Sequence, residues 1–342
     1  MKIALNQRPV DGPWGGGNRF VAALCNGLRA AGHNVVYELQ DNDIDIAIII
    51  DPRVMSPNVT FGPGALFRHI TFRSPKTIVM HRINECDERK GKAFINRKLV
   101  RANYVADATC FVGAWLKDLP VWRANARAPH FVIHNGADTS VFHTGRYIPW
   151  DGSGPLKLVT HHWGYHPNKG FDIYRLLDDM LGNPAWRDRI RFTYIGNLPA
   201  GFSFQNAEYV EPLDGPRLAE ELSKHQVYVT GSINEPGGNH QNEGALCGLP
   251  LIYRNSGCMP EYCGGFGIQF EGVSDFEQQL KVMLQNYPKL VAKMPTYPNT
   301  SAKMVVEWIA LLEHLAAQCD EIIAQRKRTR NARRSLQLLV HP

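Results

Sequence analysis

The feature that most constrains the fold is an alternation of short apolar runs with amphipathic segments along most of the chain. This alternation is typical of α/β folds with parallel sheets. The runs are continuously apolar, as expected for strands that are covered on both faces. Nine of them are predicted to be strands: 1–6, 45–51, 76–81, 108–113, 130–136, 156–162, 189–196, 226–232 and 250–257.

The length of 342 residues exceeds what one compact core usually organises, and it predicts two domains. A segment rich in glycine and proline, residues 143–155, separates the first five apolar runs from the last four. We therefore predict a first α/β domain over residues 1–145 and a second over residues 150–300.

The C-terminal part is predicted to be one long helix followed by a basic tail. From Ser301 to about Gln325, apolar residues recur every three or four positions, which indicates an amphipathic helix over residues 301–325. The tail, residues 326–342, opens with six cations within RKRTRNARR.

The charge balance argues against a nucleic-acid-binding protein. The chain has 38 Lys+Arg and 32 Asp+Glu, a net charge of +6, and the six cations of the tail account for all of it. Because four apolar residues follow within 335–342, the tail could contact an anionic membrane surface weakly. The alternative is a solvated terminus without a partner.

Cysteine usage and the absence of long apolar segments predict a soluble cytoplasmic protein. The seven cysteines include no Cys-x-x-Cys pair, which suits free thiols in a reducing compartment. The longest aliphatic run, residues 46–50, is far shorter than a membrane span, and residues 1–9 lack the apolar stretch of a signal peptide.

The stretch SINEPGGNHQNEGALCGLP (232–250) holds the most informative candidates. Two glycines after the first glutamate let the backbone approach a ligand, and the helix predicted to start nearby offers N–H groups to a pyrophosphate. Glu243 could accept hydrogen bonds from ribose, and Glu235 could hold a sugar and carry charge near the reacting carbon. The alternative is a plain loop whose helix-start glutamate serves only the helix dipole. The candidate donor-binding residues here are Gly237, Gly238, Asn239, His240 and Glu243.

A second glycine-rich loop, GPWGGGNRF (12–20), follows the first predicted strand. Gly16 and Gly17 lie nearest the predicted helix start, where backbone can approach a phosphate or a sugar. The loop lacks the Gly-x-Gly-x-x-Gly fingerprint, which argues against a nicotinamide-dependent enzyme. The alternative is a tight turn with no ligand.

Five segments together resemble the retaining GT-B glycosyltransferases of the family-4 type. These are GPWGGGNRFVAAL (12–24), ANYVADATCFVGAWLKDL (102–119), VIHNGADTSVF (132–142), THHWGYHPNKGFD (160–172) and Glu235-x7-Glu243 with GALCGLP, LIY and GCMPE (244–261). They occur in the family's order over roughly residues 1–310, which is more specific than any one motif.

The resemblance implies two Rossmann-like α/β domains that face a central cleft, with the C-terminal helix crossing back to the N-terminal domain. The N-terminal domain would serve the acceptor and the C-terminal domain the nucleotide sugar. The implied activity is a retaining, metal-independent transfer of a sugar from a nucleotide diphosphate donor to a hydroxyl acceptor, which could be a glycan, a lipid or a small molecule. The nucleotide sugar is a substrate, so no cofactor is expected.

The resemblance also assigns residues to roles. Lys169 stands at the phosphate lysine, and His81 stands where the family has a histidine that contacts the donor sugar, so that His81 and Glu235 are the catalytic candidates. Arg82 is a weaker candidate on the acceptor side, whereas residues 87–90 are predicted to form a charged, solvent-exposed loop.

One departure concerns the family's arginine five or six residues before the phosphate lysine. Trp163 and Gly164 occupy those positions, so His161, His162 or the helix start near Asn239 would have to meet part of the pyrophosphate charge. No metal site is predicted, because the histidines have no ligand spacing with carboxylates. The alternatives are a GT-B-shaped protein that binds a sugar nucleotide without transferring it, and a GT-B epimerase or phosphorylase.

Overall fold

The computed structural model describes residues 1–10, 16–91 and 93–329, and the chain divides into two compact units. Of the described residues, the first unit contains 1–10, 16–87, 93–134 and 302–329, and the second contains 88–91 and 135–301. Each unit has one parallel six-stranded sheet with flanking helices, which confirms the predicted α/β class with two Rossmann-like halves.

The first sheet consists of β1 (Lys2–Leu5), β2 (Asn34–Val36), β3 (Ile46–Ile49), β4 (Ile78–Ile83), β5 (Ala108–Phe111) and β6 (His130–Val132). Its order is β2-β1-β3-β4-β5-β6, and every pair is parallel. Successive residues of a strand pack into different clusters: Ile3 lies in one core and Ala4 in another. Both faces of this sheet are therefore covered, as the continuous apolar runs predicted.

The second sheet consists of β7 (Leu156–His162), β8 (Ile190–Gly196), β9 (Glu208–Val210), β10 (Val227–Thr230), β11 (Leu251–Arg254) and β12 (Gly267–Phe270). Its order is β12-β11-β10-β7-β8-β9, again with all pairs parallel. Counted from β7, this is the 3-2-1-4-5-6 order of the Rossmann fold, and the strand order reverses between β7 and β10.

The helices complete both units. In chain order they are α1 (Gly16–Ala30), α2 (Pro63–Arg68, continued by a π-helical turn His69–Arg73), α3 (Ile95–Asn103), α4 (Ala114–Lys117), α5 (Pro120–Asn125), α6 (Phe171–Gly182), α7 (Gly215–Leu222), α8 (His240–Leu246), α9 (Met259–Cys263), α10 (Val273–Val291), α11 (Ser301–Ala317) and α12 (Cys319–Thr329). Short 3₁₀ turns occupy Asp87–Arg89, Thr144–Arg146, Pro167–Lys169 and Met294–Thr296.

The passage from the first unit to the second lies between His134 and Asn135, earlier than the predicted segment 143–155. Contacts within the second unit explain the difference. The Tyr147 hydroxyl donates to the backbone oxygen of Gln226, and its oxygen lies 2.5 Å from the Tyr287 hydroxyl. The glycine-rich composition of 143–155 therefore marks a segment that packs on the second unit.

The C-terminal helices return to the first unit, as the resemblance implied. Met304, Trp308 and Leu312 on α11 are buried in the same cluster as Ile3, and Phe20 packs edge-to-face on Trp308. The prediction of one helix over 301–325 was wrong in detail, because a turn at Gln318 separates α11 from α12.

The basic segment begins inside the fold, which corrects the predicted tail boundary at residue 326. Arg326 is buried on α12, and its Nε lies 2.7 Å from Asp107 Oδ1 while a second nitrogen bonds Asp107 Oδ2. The same guanidinium donates to the backbone oxygens of Pro75 and Thr77. Arg326 is thus a structural ion-pair partner, and the proposed membrane contact of residues 330–342 lies outside the described residues.

Candidate functional site

The candidate site lies at the carboxyl edge of the second sheet, where the strand order reverses. Loops after β7 and β10 meet there, and open α/β sheets bind ligands outside such a reversal. The two loops are linked directly, since the Ile233 N–H donates to the backbone oxygen of Asn168 at 2.8 Å. The sequence resemblance placed Lys169 in the first loop and Glu235 in the second, and the structure brings these loops together.

Two glycines permit this close approach. Gly170 has a φ of 95°, and a Cβ placed there would lie 2.4 Å from the backbone carbon of Gly231. Only glycine fits such a left-handed, crowded position without strain. Similarly, Gly257 has a φ of 60°, and a Cβ there would lie 2.5 Å from the backbone nitrogen of Glu235. The Lys-Gly turn and the Gly257 turn therefore fix the ends of the Glu235 loop.

Lys169 and Glu235 form a buried ion pair at the centre of the site. The Lys169 Nζ donates to Glu235 Oε2 at 2.6 Å, and the two residues are 5% and 4% exposed. Burial opposes ionisation of Glu235, but Arg89 and Lys169 outweigh it and hold the pKa of that carboxyl well below its usual range. Burial also lowers the pKa of Lys169, and the charge of Glu235 opposes that change.

Arg89 lies beside Glu235 in the candidate site, and the sequence did not indicate it. Residues 88–91 belong to the second unit, and Arg89 Nε lies 3.5 Å from Glu235 Oε1 with the Arg89 side chain 25% exposed. The amide of Asn168 donates to the backbone oxygen of Arg89, and the amide of Asn234 to that of Glu88. The prediction of an exposed loop over 87–90 was therefore wrong for Arg89, although Lys90 is exposed.

The glycine stretch after Glu235 is held through its carbonyl groups. The Asn135 amide donates to the Gly237 oxygen at 2.6 Å, and the Gln241 amide donates to the Gly238 oxygen at 2.6 Å. Asn239 precedes α8, and its side-chain oxygen accepts from Asn242. These contacts lie within the second unit and order the backbone beside Glu235.

Glu243 is buried on α8 and is hydrogen-bonded to His161, a residue that the sequence suggested as a partner of the pyrophosphate. His161 Nε2 lies 2.7 Å from Glu243 Oε2, and His161 Nδ1 lies 3.1 Å from the Tyr228 hydroxyl. His161 is therefore committed to the carboxylate, and the prediction that it meets pyrophosphate charge does not fit this geometry.

His162 and His240 are buried and neutral in character. Burial lowers the pKa of both rings well below its usual value, and for His240 the charge of Lys169 acts in the same direction. His162 Nε2 lies 2.6 Å from the Tyr174 hydroxyl, and His240 Nε2 lies 2.9 Å from the Thr230 hydroxyl. A neutral ring that is hydrogen-bonded to a tyrosine supplies no positive charge, which argues against His162 as a phosphate-binding residue.

His166 also stands beside the ion pair, and the sequence had given no reason to prefer it. Burial, with the charges of Lys169 and Arg89, lowers the pKa of His166 to about 4. Its two buried ring nitrogens have no hydrogen-bond partner among the described residues. Gly164, where the family has an arginine, borders the same place, because a Cβ there would lie 3.5 Å from Lys169 Cε.

Four predicted residues belong to the first unit. Gly16 and Gly17 open α1, while residues 11–15 of the glycine loop lie outside the described residues. His81 lies within β4 and not at its end; its ring is fully buried, burial lowers its pKa to about 3, and Nδ1 lies 3.2 Å from the Asn103 amide nitrogen. Arg82 is also buried, with its guanidinium 3.8 Å from the centre of the Phe20 ring.

The part of the chain that the structure describes lacks a metal cluster, a membrane-spanning helix and a disulfide. No group of three or more His, Cys, Asp or Glu side chains is placed to hold a metal ion. None of the described helices combines the length and apolarity that crossing a membrane requires. All seven cysteines are free thiols, and six of them are buried.

Two parallel six-stranded α/β units, with the C-terminal helices returned to the first, define the GT-B fold of glycosyltransferases. Sucrose-phosphate synthase from Thermosynechococcus elongatus is similar over 93% of this chain and 99% of its own, at 14% identity and a TM-score of 0.61. HepE from Anabaena, solved with UDP and glucose, is similar over 92% of this chain and 100% of its own, at 13% identity and 0.61. A glycosyltransferase from Rickettsia africae is similar over 92% and 98%, at 10% identity and 0.63. No protein-family profile and no curated sequence matches the chain.

Proposed function

We propose that the protein is a retaining, metal-independent glycosyltransferase that moves a sugar from a nucleotide diphosphate donor to a hydroxyl acceptor. The observation that carries the proposal is the buried Glu235 carboxylate between Lys169 and Arg89, at the strand-order reversal of the second sheet. The fold and the UDP bound in the HepE structure support the choice of donor class.

The charges suit a diphosphate leaving group. With Lys169 and Arg89 positive and Glu235 negative, the centre carries a net positive charge, and the neighbouring His162, His166 and His240 are held neutral. Arg89 supplies a cation that the sequence lacks at Trp163 and Gly164. Preorganised positive groups that stabilise the departing diphosphate would supply the largest protein contribution to the rate.

Glu235 would serve the sugar. Transfer at an anomeric carbon passes through an oxocarbenium-like state, which an ionised carboxylate stabilises. The cations that keep Glu235 ionised are the same ones that would hold the phosphates, so binding and chemistry share one cluster. In the retaining course that we propose, the acceptor attacks on the face that the diphosphate leaves, and the diphosphate oxygen takes the acceptor proton. The residues that would bind the donor on the second unit are Lys169, Gly237, Gly238, Asn239, His240 and Glu243. On the first unit, the predicted donor contacts are Gly16, Gly17 and His81.

The first experiment is a thermal-shift screen of nucleotide sugars, with UDP-glucose among them. A donor at 100 times its dissociation constant should stabilise the protein by about 2.7 kcal/mol. Donors that stabilise are then incubated with hydroxyl acceptors, and product configuration is read by NMR with and without excess EDTA. We expect retained anomeric configuration and turnover that survives EDTA; an inverted product, or turnover that EDTA abolishes and Mg²⁺ restores, would refute the corresponding part of the proposal.

A second candidate is a GT-B-shaped protein that binds a sugar nucleotide without transferring it. Gly164 favours it, because the position beside Lys169 lacks the family's arginine. Slow hydrolysis of the donor without acceptor separates the two: a transferase releases free nucleoside diphosphate and sugar, and a binding protein returns the donor intact. An epimerase would instead return a nucleotide sugar with altered stereochemistry.

A further inference from the structure

Glu243 is the last of three buried side chains that are linked by hydrogen bonds, the first of which lies on β10. The Tyr228 hydroxyl lies 3.1 Å from His161 Nδ1, and His161 Nε2 lies 2.7 Å from Glu243 Oε2. The three residues are between 0% and 8% exposed, so water does not compete freely for these hydrogen bonds.

The donor directions follow from the chemistry of the groups. A carboxylate only accepts, so His161 donates to Glu243 from Nε2. The Tyr228 hydroxyl lies within hydrogen-bond distance of His161 Nδ1, at 3.1 Å, and of the His161 backbone oxygen, at 3.3 Å. The backbone N–H of His161 donates to the Tyr228 oxygen at 3.2 Å, which fixes the hydroxyl from the other side.

Packing fixes the positions of Tyr228 and His161 as well. The rings of His161 and Tyr228 meet edge-to-face with centroids 5.6 Å apart. A Cβ at Gly244 would lie 2.4 Å from a carbon of the Tyr228 ring, so the ring lies directly on the helix turn that carries Glu243. Strand β7, strand β10 and helix α8 are thereby joined at one carboxylate.

We infer that Tyr228 and His161 are positioning residues that aim Glu243 at the ribose and so set the preference for ribonucleotides over nucleotides without ribose hydroxyls. This inference rests on the proposed function, in which Glu243 accepts from the ribose. Because one carboxylate oxygen of Glu243 is already fixed, the side chain loses little further conformational entropy when it accepts hydrogen bonds from the two ribose hydroxyls. A site built to hydrogen-bond a hydroxyl rejects the analogue that lacks it, because its buried polar group is left unpaired.

The test compares the affinity for UDP with that for 2′,3′-dideoxy-UDP by calorimetry in four proteins. These are the wild type, His161→Leu, His161→Gln and Tyr228→Phe. Hydrogen bonds to a charged group predict a wild-type preference for UDP on the order of 10-fold or more. His161→Leu removes the donor to Glu243 and should bring the preference below about 3-fold. His161→Gln places an amide N–H near the position of Nε2 and should restore most of it.

A purely structural role gives a different result. It would weaken UDP and the dideoxy analogue equally and leave their ratio unchanged, which would overturn the inference. If His161→Leu does not fold, Tyr228→Phe removes a single hydroxyl, and its ratio must fall; an unchanged ratio refutes the chain. A wild type that binds both nucleotides equally refutes this inference alone, whereas one that binds neither UDP nor any other nucleoside diphosphate in the thermal-shift screen refutes the proposed function with it.

Discussion

Lys169 Nζ lies 2.6 Å from Glu235 Oε2, and each side chain is almost fully buried. A buried pair of this kind contributes little net stability compared with apolar packing, but removal of one partner leaves an uncompensated charge and is costly. The pair therefore makes sense as a preorganised centre for a charged ligand. The first two predictions follow from this relationship.

Glu235→Gln should reduce turnover by about 10²–10³, because it removes one electrostatic stabiliser of the sugar while keeping its shape. The affinity for UDP should be unchanged or higher, since a negative charge near the phosphates is gone. Without ligand the variant should melt lower than the wild type, and UDP should narrow that gap. Glu277→Gln, in the exposed pair with Lys281, is the control and should change neither property. A loss of UDP binding in Glu235→Gln would contradict these roles.

Arg89→Met should weaken UDP binding by about 10-fold, the usual effect of losing a hydrogen bond to a charged group. Lys90→Met is a matched control, because it removes an exposed cation from the neighbouring position. We expect less than about 2-fold change for Lys90→Met, since surface charges act weakly. Calorimetry of both variants decides the matter, and equal effects would mean that Arg89 acts only through general charge.

A chain that ends at Gln325 should be less stable than one that ends at Thr329. The shorter chain lacks Arg326 and leaves Asp107 buried without that cation, and such a loss costs about 3–5 kcal/mol. Because a chain of this length unfolds with an entropy of about 0.7 kcal/mol/K, a fall in melting temperature of roughly 4–7 °C is expected relative to the longer chain. Equal melting temperatures would show that the Arg326–Asp107 pair does not hold α12 on the first unit.

Stability should fall as the pH drops below about 6.5, the ordinary pKa of histidine. Burial lowers the pKa of His81 to about 3 and that of His166 to about 4, and it holds the pKa of His162 and of His240 well below the usual value. Below pH 6.5 the unfolded chain therefore binds protons that the folded chain does not. Each such histidine adds about 1.4 kcal/mol of lost stability per pH unit.

Urea unfolding between pH 7.5 and about 5.5 measures this dependence before the carboxylates of the unfolded chain begin to bind protons. His81→Gln should reduce the slope of the free energy of unfolding against pH by the contribution of one histidine, about 1.4 kcal/mol per pH unit. His314→Gln, at an exposed position on α11, should leave this slope unchanged. A slope that is the same in both variants would show that His81 is accessible to protons in the folded protein.

The nine short apolar runs all contain strands in the structure, and the three strands that the sequence did not reveal share a physical reason. β2, β9 and β12 lie at sheet edges, and each has at most one fully buried residue. Edge strands are covered less completely, so their sequences lack a continuous apolar run. Their absence from the prediction did not affect the assignment of the fold.

The sequence indicates those parts of the candidate site that local motifs determine, and it does not indicate those that tertiary packing determines. The Lys169-Gly170 turn and the Glu235 loop have recognisable glycine patterns, and the structure joins them at the Lys169–Glu235 pair. Arg89 stands in a segment with an ordinary charged composition, and only the packing of residues 88–91 on the second unit brings it to Glu235. His161 likewise could not be assigned to Glu243, because no sequence signal pairs the end of one strand with a helix beyond another.

The most direct test of the central claim, that the Lys169–Glu235 centre binds a nucleotide diphosphate, is calorimetric titration of UDP into Lys169→Met. Lys157→Met, an exposed position on β7, is the control. The account predicts that the wild type and Lys157→Met bind UDP alike and that Lys169→Met binds it at least about 10-fold more weakly while remaining folded. Binding of UDP by Lys169→Met as tight as that of the wild type, or no binding by the wild type, would contradict it.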